Sequence, residues 1–571
     1  MLRIPNLTLD DHFKLEDFQH DFTAIMDILA ITSKNAKTFG ITGVETNDDT
    51  DKIQELFNER GNIYFPKGTY ILTKMIDVYS DTTITLDPEA IFVRKHPASM
   101  FQTATTTETT GYEGQKNIIF NSGTYKHDGN EDGSNVFSIF HAQDITFNNV
   151  VCLNTVGSHG IDIVASKNVK VLHCKFRGYK AVVETPNKEA IQIDAAGSKA
   201  YPIYSPEVNA YDGTPTCNVL IDGCEFTPSD EYPSFPSAVG QHGQHVLKGS
   251  RYKNITVVNN YMYGDPSYTY SYGIKPIAWE NATIANNHIE NYGCCIYADM
   301  FEKIVGSNGE LIKDTDNFPT VSEEETLFLG CRNIAITGNT LNAAATSIQR
   351  PGVWFNTSNS LITSAGANSP KHRNISITGN TIVLPSPSLK SIAVDFDLTE
   401  DVVISGNTFI NKAKSDSIGV QCSDYCKNII IGDNLYKDIL PANYHSIKPT
   451  CENVKRKGKT LLWSGKVFAT GENITLSDEI SNYDAIMVEV ECFGTLLTTL
   501  DFTTTVTQSI REFNMADSES SLTMNYFEAR LKKIDETTIQ HAGNKTIKSS
   551  DNSIIMADET TYIKAIYGIN Y

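Results

Sequence analysis

The sequence predicts an all-β chain: a right-handed, single-stranded parallel β-helix, with a short N-terminal helical segment before it and a C-terminal β-sandwich module after it. Three observations predict this. A nine-residue pattern recurs along most of the chain at a basic step of about 25 residues. Each copy alternates apolar and polar residues with period two, the signature of a strand with two unlike faces. The recurrence stops near residue 440, where a different pattern of short alternating strands begins.

The repeat reads as Asn or Asp, an apolar residue, a spacer, an apolar residue, two spacers, Asn or Cys, a spacer, then an apolar residue. Copies start at Asn117, Asp144, Asn168, Asn218, Asn254, Asn281, Asn333, Asn374, Asp401 and Asn428. The intervals are 27, 24, 50, 36, 27, 52, 41, 27 and 27 residues, so the two longest are two coils or one coil with a long insertion. A further short strand precedes many copies, as in "GIDIV", "GIKPI", "GVWF" and "IAVDF". Short strands at this period describe coils that cannot bury their apolar face alone and are stable only when stacked. The Asn or Cys at the seventh position is expected to stack as an internal ladder.

The stretch "NDDTDKIQELFNERGNIYFPKGTYIL", Asn47 to Leu72, resembles the opening of the pectate-lyase-like β-helix superfamily. Its helix would close the end of the solenoid, with Asp49 or Thr50 as N-cap and Pro66 and Gly68 turning into the first coil. The resemblance covers about residues 41–440. Upstream, Phe18, Phe22, Ile25, Met26 and Leu29 share one face of a predicted helix, read as a docking segment or as a helix packed on the solenoid end. Downstream, "LLWSG", "SNYDAI" and the closing "IKAIYGI" resemble C-terminal modules of tail proteins from phages of Gram-positive bacteria. The expected organisation is therefore 1–40 helical, 41–440 β-helix and 441–571 a sandwich that trimerises or binds sugar. These resemblances imply a homotrimeric phage tail spike. It would be made in the host cytoplasm, released by lysis and active at the host surface, beside other phage tail proteins.

Composition narrows the partners. With 47 basic and 68 acidic residues among 571, the formal charge is −21. That disfavours duplex nucleic acid or an anionic membrane, both of which need basic patches. No run of 18 apolar residues offers a membrane span, and the acidic start lacks the pattern of a secretory signal. The 11 cysteines are scattered, without paired CxxC motifs, and read as buried thiols.

The candidate site comes from strand register. Aligning "HGIDI", "EAIQID", "AVGQH" and "GIKPI" by their inward apolar residues stacks His159 beside Glu189, Asp162 beside Gln192 and Asp194 beside His242. Gly240 and Lys275 extend the Asp162 column. Strand spacing puts Asp162 roughly 8 Å from Asp194, within the ~6.5–9.5 Å separation of an inverting glycosidase. The expected catalytic groups are Glu189 as acid, Asp194 or Asp162 as base, and His242. Expected substrate contacts are His159, Gln192, His245, Lys275, Tyr211 and Trp279, with aromatic loops as groove walls. No cofactor is expected. A divalent metal held by Asp194, His242 and His245 is a secondary reading.

The function expected is a depolymerase that binds and hydrolyses a bacterial surface polysaccharide or teichoic acid. Three alternatives stand beside it: a teichoic-acid phosphodiesterase, a polysaccharide lyase, and a non-enzymatic receptor-binding tail protein.

Overall fold

The computed structural model describes residues 33–105, 109–128, 133–182, 188–196, 212–241, 251–268, 271–300, 330–345, 351–357, 371–385, 391–412, 417–456, 458–492, 494–502, 507–518, 521–548, 554–556 and 562–570. The expected N-terminal docking helix lies outside them. The chain divides into two compact units, Met1–Tyr292 with Phe301–Leu329, and Gly293–Met300 with Gly330–Tyr571.

The first unit is a right-handed parallel β-helix, as the repeat predicts, and its coils lay down three sheets. One coil contributes Gln143–Asn148 to the first sheet, Val151–Val156 to the second and Ile161–Val164 to the third. The next contributes Lys167–Leu172, Lys175–Lys180 and Glu189–Asp194, each pairing in parallel with its predecessor. Lys167 then pairs directly with Cys217. The 50-residue interval is thus one coil with a long insertion, which the sequence left open.

Apolar residues form straight columns because every coil repeats the same inward positions. Ile118, Ile145, Val169, Val219 and Ile255 make one column of the first sheet. Phe101, Phe137, Ile161, Ile191, Val239 and Ile274 make one of the third. All are essentially inaccessible, and each such side chain contributes about 1.5–3 kcal/mol when fully buried.

The helix Thr50–Asn58 closes the open end. Its Phe57 ring lies 6.2 Å from Phe65 and 5.7 Å from Phe101, so the apolar columns end on a ring and not on water. Its capping differs from expectation. Asp49 occupies the N-cap but makes no side-chain cap; its carboxylate accepts from Thr42 and Gly43 instead. Asp48 accepts from the Thr50 N–H at 3.0 Å and takes that role.

The second unit repeats the winding. Its first-sheet strands Arg332–Thr337, His372–Thr378, Thr399–Ser405, Lys427–Ile431 and Glu452–Arg456 pair in parallel. The predicted internal ladder is present. Asn339 donates to Asn380, Asn380 to Asn407 and Asn407 to Asn434, each at 2.9 Å. In the first unit Asn260 donates to Asn287 at 2.9 Å, and Cys174 and Cys224 fill the equivalent turns.

From Gly458 the pairing becomes antiparallel. One sheet orders Gly458–Val467, Tyr562–Asn570, Ala485–Cys492 and Gly494–Leu500; the other orders Asn473–Thr475, Thr538–Lys548, Ser521–Asp535 and Thr507–Ser518. Val488, Val490, Ile563 and Ile566 from the first pack with Ile510, Phe527, Leu531 and Ile539 from the second. This is the predicted sandwich. Among the described residues, no helix is long and apolar enough to cross a membrane.

Candidate functional site

The predicted register holds in the third sheet of the first unit. Ser138, Asp162, Gln192, Gly240 and Lys275 follow one another in a single column. His159 Nδ1 donates to the Glu189 carbonyl at 2.7 Å and lies 3.8 Å from the Glu189 carboxylate. The Gln192 amide donates to Asp194. A residue the sequence did not single out, Asn135, links these groups. Its amide donates to Ser138 and to Asp162, both at 3.0 Å, and its oxygen accepts from the His159 N–H and the Ser158 hydroxyl. The structure thus brings His159, Asp162, Glu189, Gln192 and Asp194 together. His242, His245 and Tyr211 lie outside the described residues, and with them the Asp194–His242 pair.

What differs is exposure. Glu189 and Asp194 have no exposed surface, and Gln192, His159, Asp162 and Lys275 show 2, 3, 4 and 7%. The outer side of this sheet is a second interior. Phe140 and Val164 stack there and cluster with Ala165 and Ala196, and Asp194 is next in the same column. Gly240 fits the same picture: a Cβ there would stand 2.8 Å from Lys275 Cβ and 3.3 Å from Glu189 Cγ. The polar residues form an internal hydrogen-bonded network, where water does not compete and each contact is worth more than at a surface. Burial and the nearby Asp194 carboxylate also push the Tyr252 hydroxyl well above its ordinary range.

Trp279 is not a groove wall. It is fully buried, and its indole N–H donates to Gln241 at 2.6 Å. Its neighbour Glu280 faces Arg251 at 3.6 Å. Among the described residues no three His, Cys, Asp or Glu side chains converge as a metal-ligand set; two of the three groups of the metal reading are not among those residues.

An accessible concavity lies elsewhere, on the outer face of the first sheet. A trough of about 780 Å³ crosses successive coils of the first unit, from Asp81 to Asn254. One wall is the first residue of five successive repeats. Asn117, Asp144, Asn168, Asn218 and Asn254 all have φ between 56° and 59°, a left-handed conformation that Asn and Asp tolerate better than other non-glycine residues. Their side chains form a ladder. Asn117 donates to Asp81 at 2.8 Å, Asn168 to Asp144 at 2.9 Å, Asn218 to Asn168 at 2.9 Å and Asn254 to Asn218 at 2.8 Å. The floor and far side carry Ile119, Thr146, Lys170, Leu220 and Thr256. Amides, hydroxyls, short apolar patches and one ammonium at the spacing of the coils suit an extended polar ligand. The recurrent leading Asn was visible in the sequence; the trough beside it was not.

A family model described as rhamnogalacturonase A/epimerase, pectate lyase-like, matches residues 33–195. The chain is 28% identical over 263 residues to plasmin and fibronectin-binding protein A of Streptococcus pneumoniae. That match covers 40% of this chain and 36% of the relative, so it spans only about a third of the relative's length. The crystal structure of PfbA, a surface adhesin of Streptococcus pneumoniae, superposes with a TM-score of 0.53 at 20% identity, covering 75% of this chain and 93% of that one. A tailspike protein of Escherichia coli bacteriophage HK620, solved with a pentasaccharide, gives 0.47 at 11% identity, with 95% of both chains covered.

These findings support the parallel β-helix fold, with a pectate-lyase-like match over residues 33–195, and overturn the expected chemistry. The expected depolymerase, whether hydrolase, lyase or teichoic-acid phosphodiesterase, is not upheld. The curated relative is named for binding and the solved structure for adhesion. The carboxylates chosen as acid and base are enclosed; Asp162 and Asp194 accept from Asn135 and Gln192, and Glu189 lies 3.8 Å from the His159 ring.

Proposed function

We propose that this chain is a non-enzymatic binding protein of the adhesin type, whose β-helix holds an extended cell-surface macromolecule along the outer face of its first sheet. The observation that carries this reading is the contrast between two faces of the same coils. The acidic cluster is closed to solvent, while the ladder trough is open across the coils. In this reading His159, Asp162, Glu189, Gln192 and Asp194 brace the solenoid and do not touch ligand. The likeness to a plasmin- and fibronectin-binding protein supports an extracellular protein as the ligand, with fibronectin and plasmin as the first probes. Display as a homotrimer on a phage tail belongs to the same proposal and rests on the resemblance of the C-terminal module. Sedimentation of the full chain and mass spectrometry of purified virions address those two points.

The test is binding of the full chain to immobilised fibronectin and plasmin, with purified bacterial wall polymers as comparison. Saturable binding to a protein, with polymer chain length unchanged after incubation, is expected. Lys170→Glu and Leu220→Asp should each weaken that binding about tenfold, the ~1.4 kcal/mol of one anchoring contact, without lowering the melting temperature by more than a few degrees. Shortened polymer, or binding indifferent to both substitutions, overturns the proposal.

A further inference from the structure

We propose that Cys426 and Cys451 are a disulfide-forming pair that staples the last parallel coil to the one before it. The two residues stand immediately before Lys427–Ile431 and Glu452–Arg456, strands that pair in register with Lys427 opposite Glu452. The Glu452 N–H donates to the Cys426 carbonyl at 2.8 Å, so the alignment extends to the cysteines. In-register neighbours on parallel strands lie about 4.8 Å apart, inside the ~4.4–6.8 Å Cα window of a disulfide. Both thiols turn toward backbone carbonyls of the preceding coil. The Cys426 sulfur lies 3.4 Å from the Phe396 carbonyl, and the Cys451 sulfur 3.6 Å from the Cys422 carbonyl.

Access separates this pair from a second one. Cys174 and Cys224 share the same relation, with Lys175 opposite Glu225 and the Glu225 N–H donating to the Cys174 carbonyl at 2.9 Å. Both are fully enclosed, at 0 and 1% exposure. Cys451 is only partly buried, so an oxidant reaches it. The co-reactant is a small-molecule disulfide such as oxidised glutathione. The Cys451 thiolate attacks one of its sulfurs, forming a mixed disulfide and releasing one glutathione thiolate. The Cys426 thiolate then displaces the second glutathione and closes the Cys426–Cys451 bond. The two protein thiol protons end on two glutathione thiols; the protein loses two electrons and the glutathione disulfide gains them. The neighbouring Cys426 thiol, together with burial, holds the Cys451 thiol above its ordinary range, so the exchange is slow near neutrality and quickens as pH rises.

The staple matters because Glu452–Arg456 leads directly into the antiparallel module at Gly458. It is independent of what the trough binds. The full chain is incubated with oxidised glutathione, its remaining thiols are alkylated, and a non-reducing peptide map is read by mass spectrometry. The expected result is a Cys426–Cys451 linked peptide lacking two hydrogens, with Cys174 and Cys224 still alkylated only after unfolding. Protease cleavage within 427–456 should slow by about tenfold on oxidation, as the cross-link restrains local opening. Cys451→Ser should abolish the link and Cys422→Ser should leave it, both with unchanged circular dichroism. A Cys422–Cys426 link, a stable glutathione adduct on Cys451 alone, or thiols that oxidise only in the unfolded chain overturns the proposal.

Discussion

At the scale of single residues, the leading Asn of each repeat does two things. It accepts a left-handed backbone turn, and it hands one amide hydrogen to the coil before it. Where the residue is Asp the handover stops, because a carboxylate accepts but does not donate. Asp144 receives the Asn168 amide, and nothing at that position can donate onward to Asn117. Asp144→Asn supplies the missing donor while φ stays at 57°, a value Asn adopts as readily as Asp. The substitution should stabilise the first unit by about 0.5–1.5 kcal/mol, the net worth of one hydrogen bond. It would be read as a higher urea midpoint with the slope unchanged. A lower midpoint would mean that Asp144 serves another purpose.

At the scale of the element, the strand Glu189–Asp194 carries the main lesson. Its alternation correctly separates Ile191 and Ile193 from Gln192 and Asp194, and its stacking partners were predictable from the register. All six residues are nevertheless buried. Period-two alternation reports which side of a sheet a side chain takes; it does not report what lies beyond that side. Phe140 and Val164, on the same side in the two preceding coils, were the available signal that this side is packed. The absence of a side chain at Gly240 is part of the fit. Gly240→Val should push against Lys275 Cβ, 2.8 Å from the new Cβ, and against Glu189, and destabilise by about 1–3 kcal/mol as overpacking does. Thermal unfolding of the purified variant measures this, and an unchanged midpoint would show that the third sheet is open at this column.

Across both units, histidines tie stability to pH: His96 and His127 are buried in the first, and His445 is half-buried in the second. Burial, with Arg94 nearby, lowers His96 to about 4, and burial also lowers His127 well below its ordinary value. His127 Nδ1 accepts the Val156 N–H at 3.0 Å, a bond that protonation would break. In the second unit burial and Arg456 lower His445 to about 3. Each of these groups is neutral in the fold and titrates near 6.5 once unfolded, so the unfolded state binds more protons below that pH. Their stabilising contribution is complete above about 6.5 and is lost as pH falls toward 4 and then 3, at up to about 1.4 kcal/mol per unit for each group. Calorimetry at about pH 7 and about pH 4.5 should show a lower midpoint in acid, with a shallower fall in a His96→Gln, His127→Gln variant. A midpoint that rises on acidification would contradict this assignment.

The solenoid, the internal Asn ladder, the cap helix and the change of module near residue 440 were legible in the sequence. All of these are written in local periodicity and in residues that suit a particular turn, and stacking one coil on the next only repeats what each coil already specifies. The neighbours of Glu189 were legible for the same reason, since register follows from the inward columns. The tertiary structure alone decided that this polar face is an interior, that Trp279 belongs to the core, that Asn135 ties the network together, and that the open face is the one beside the Asn ladder. Enclosure depends on which distant segments cover a face. No repeat encodes that.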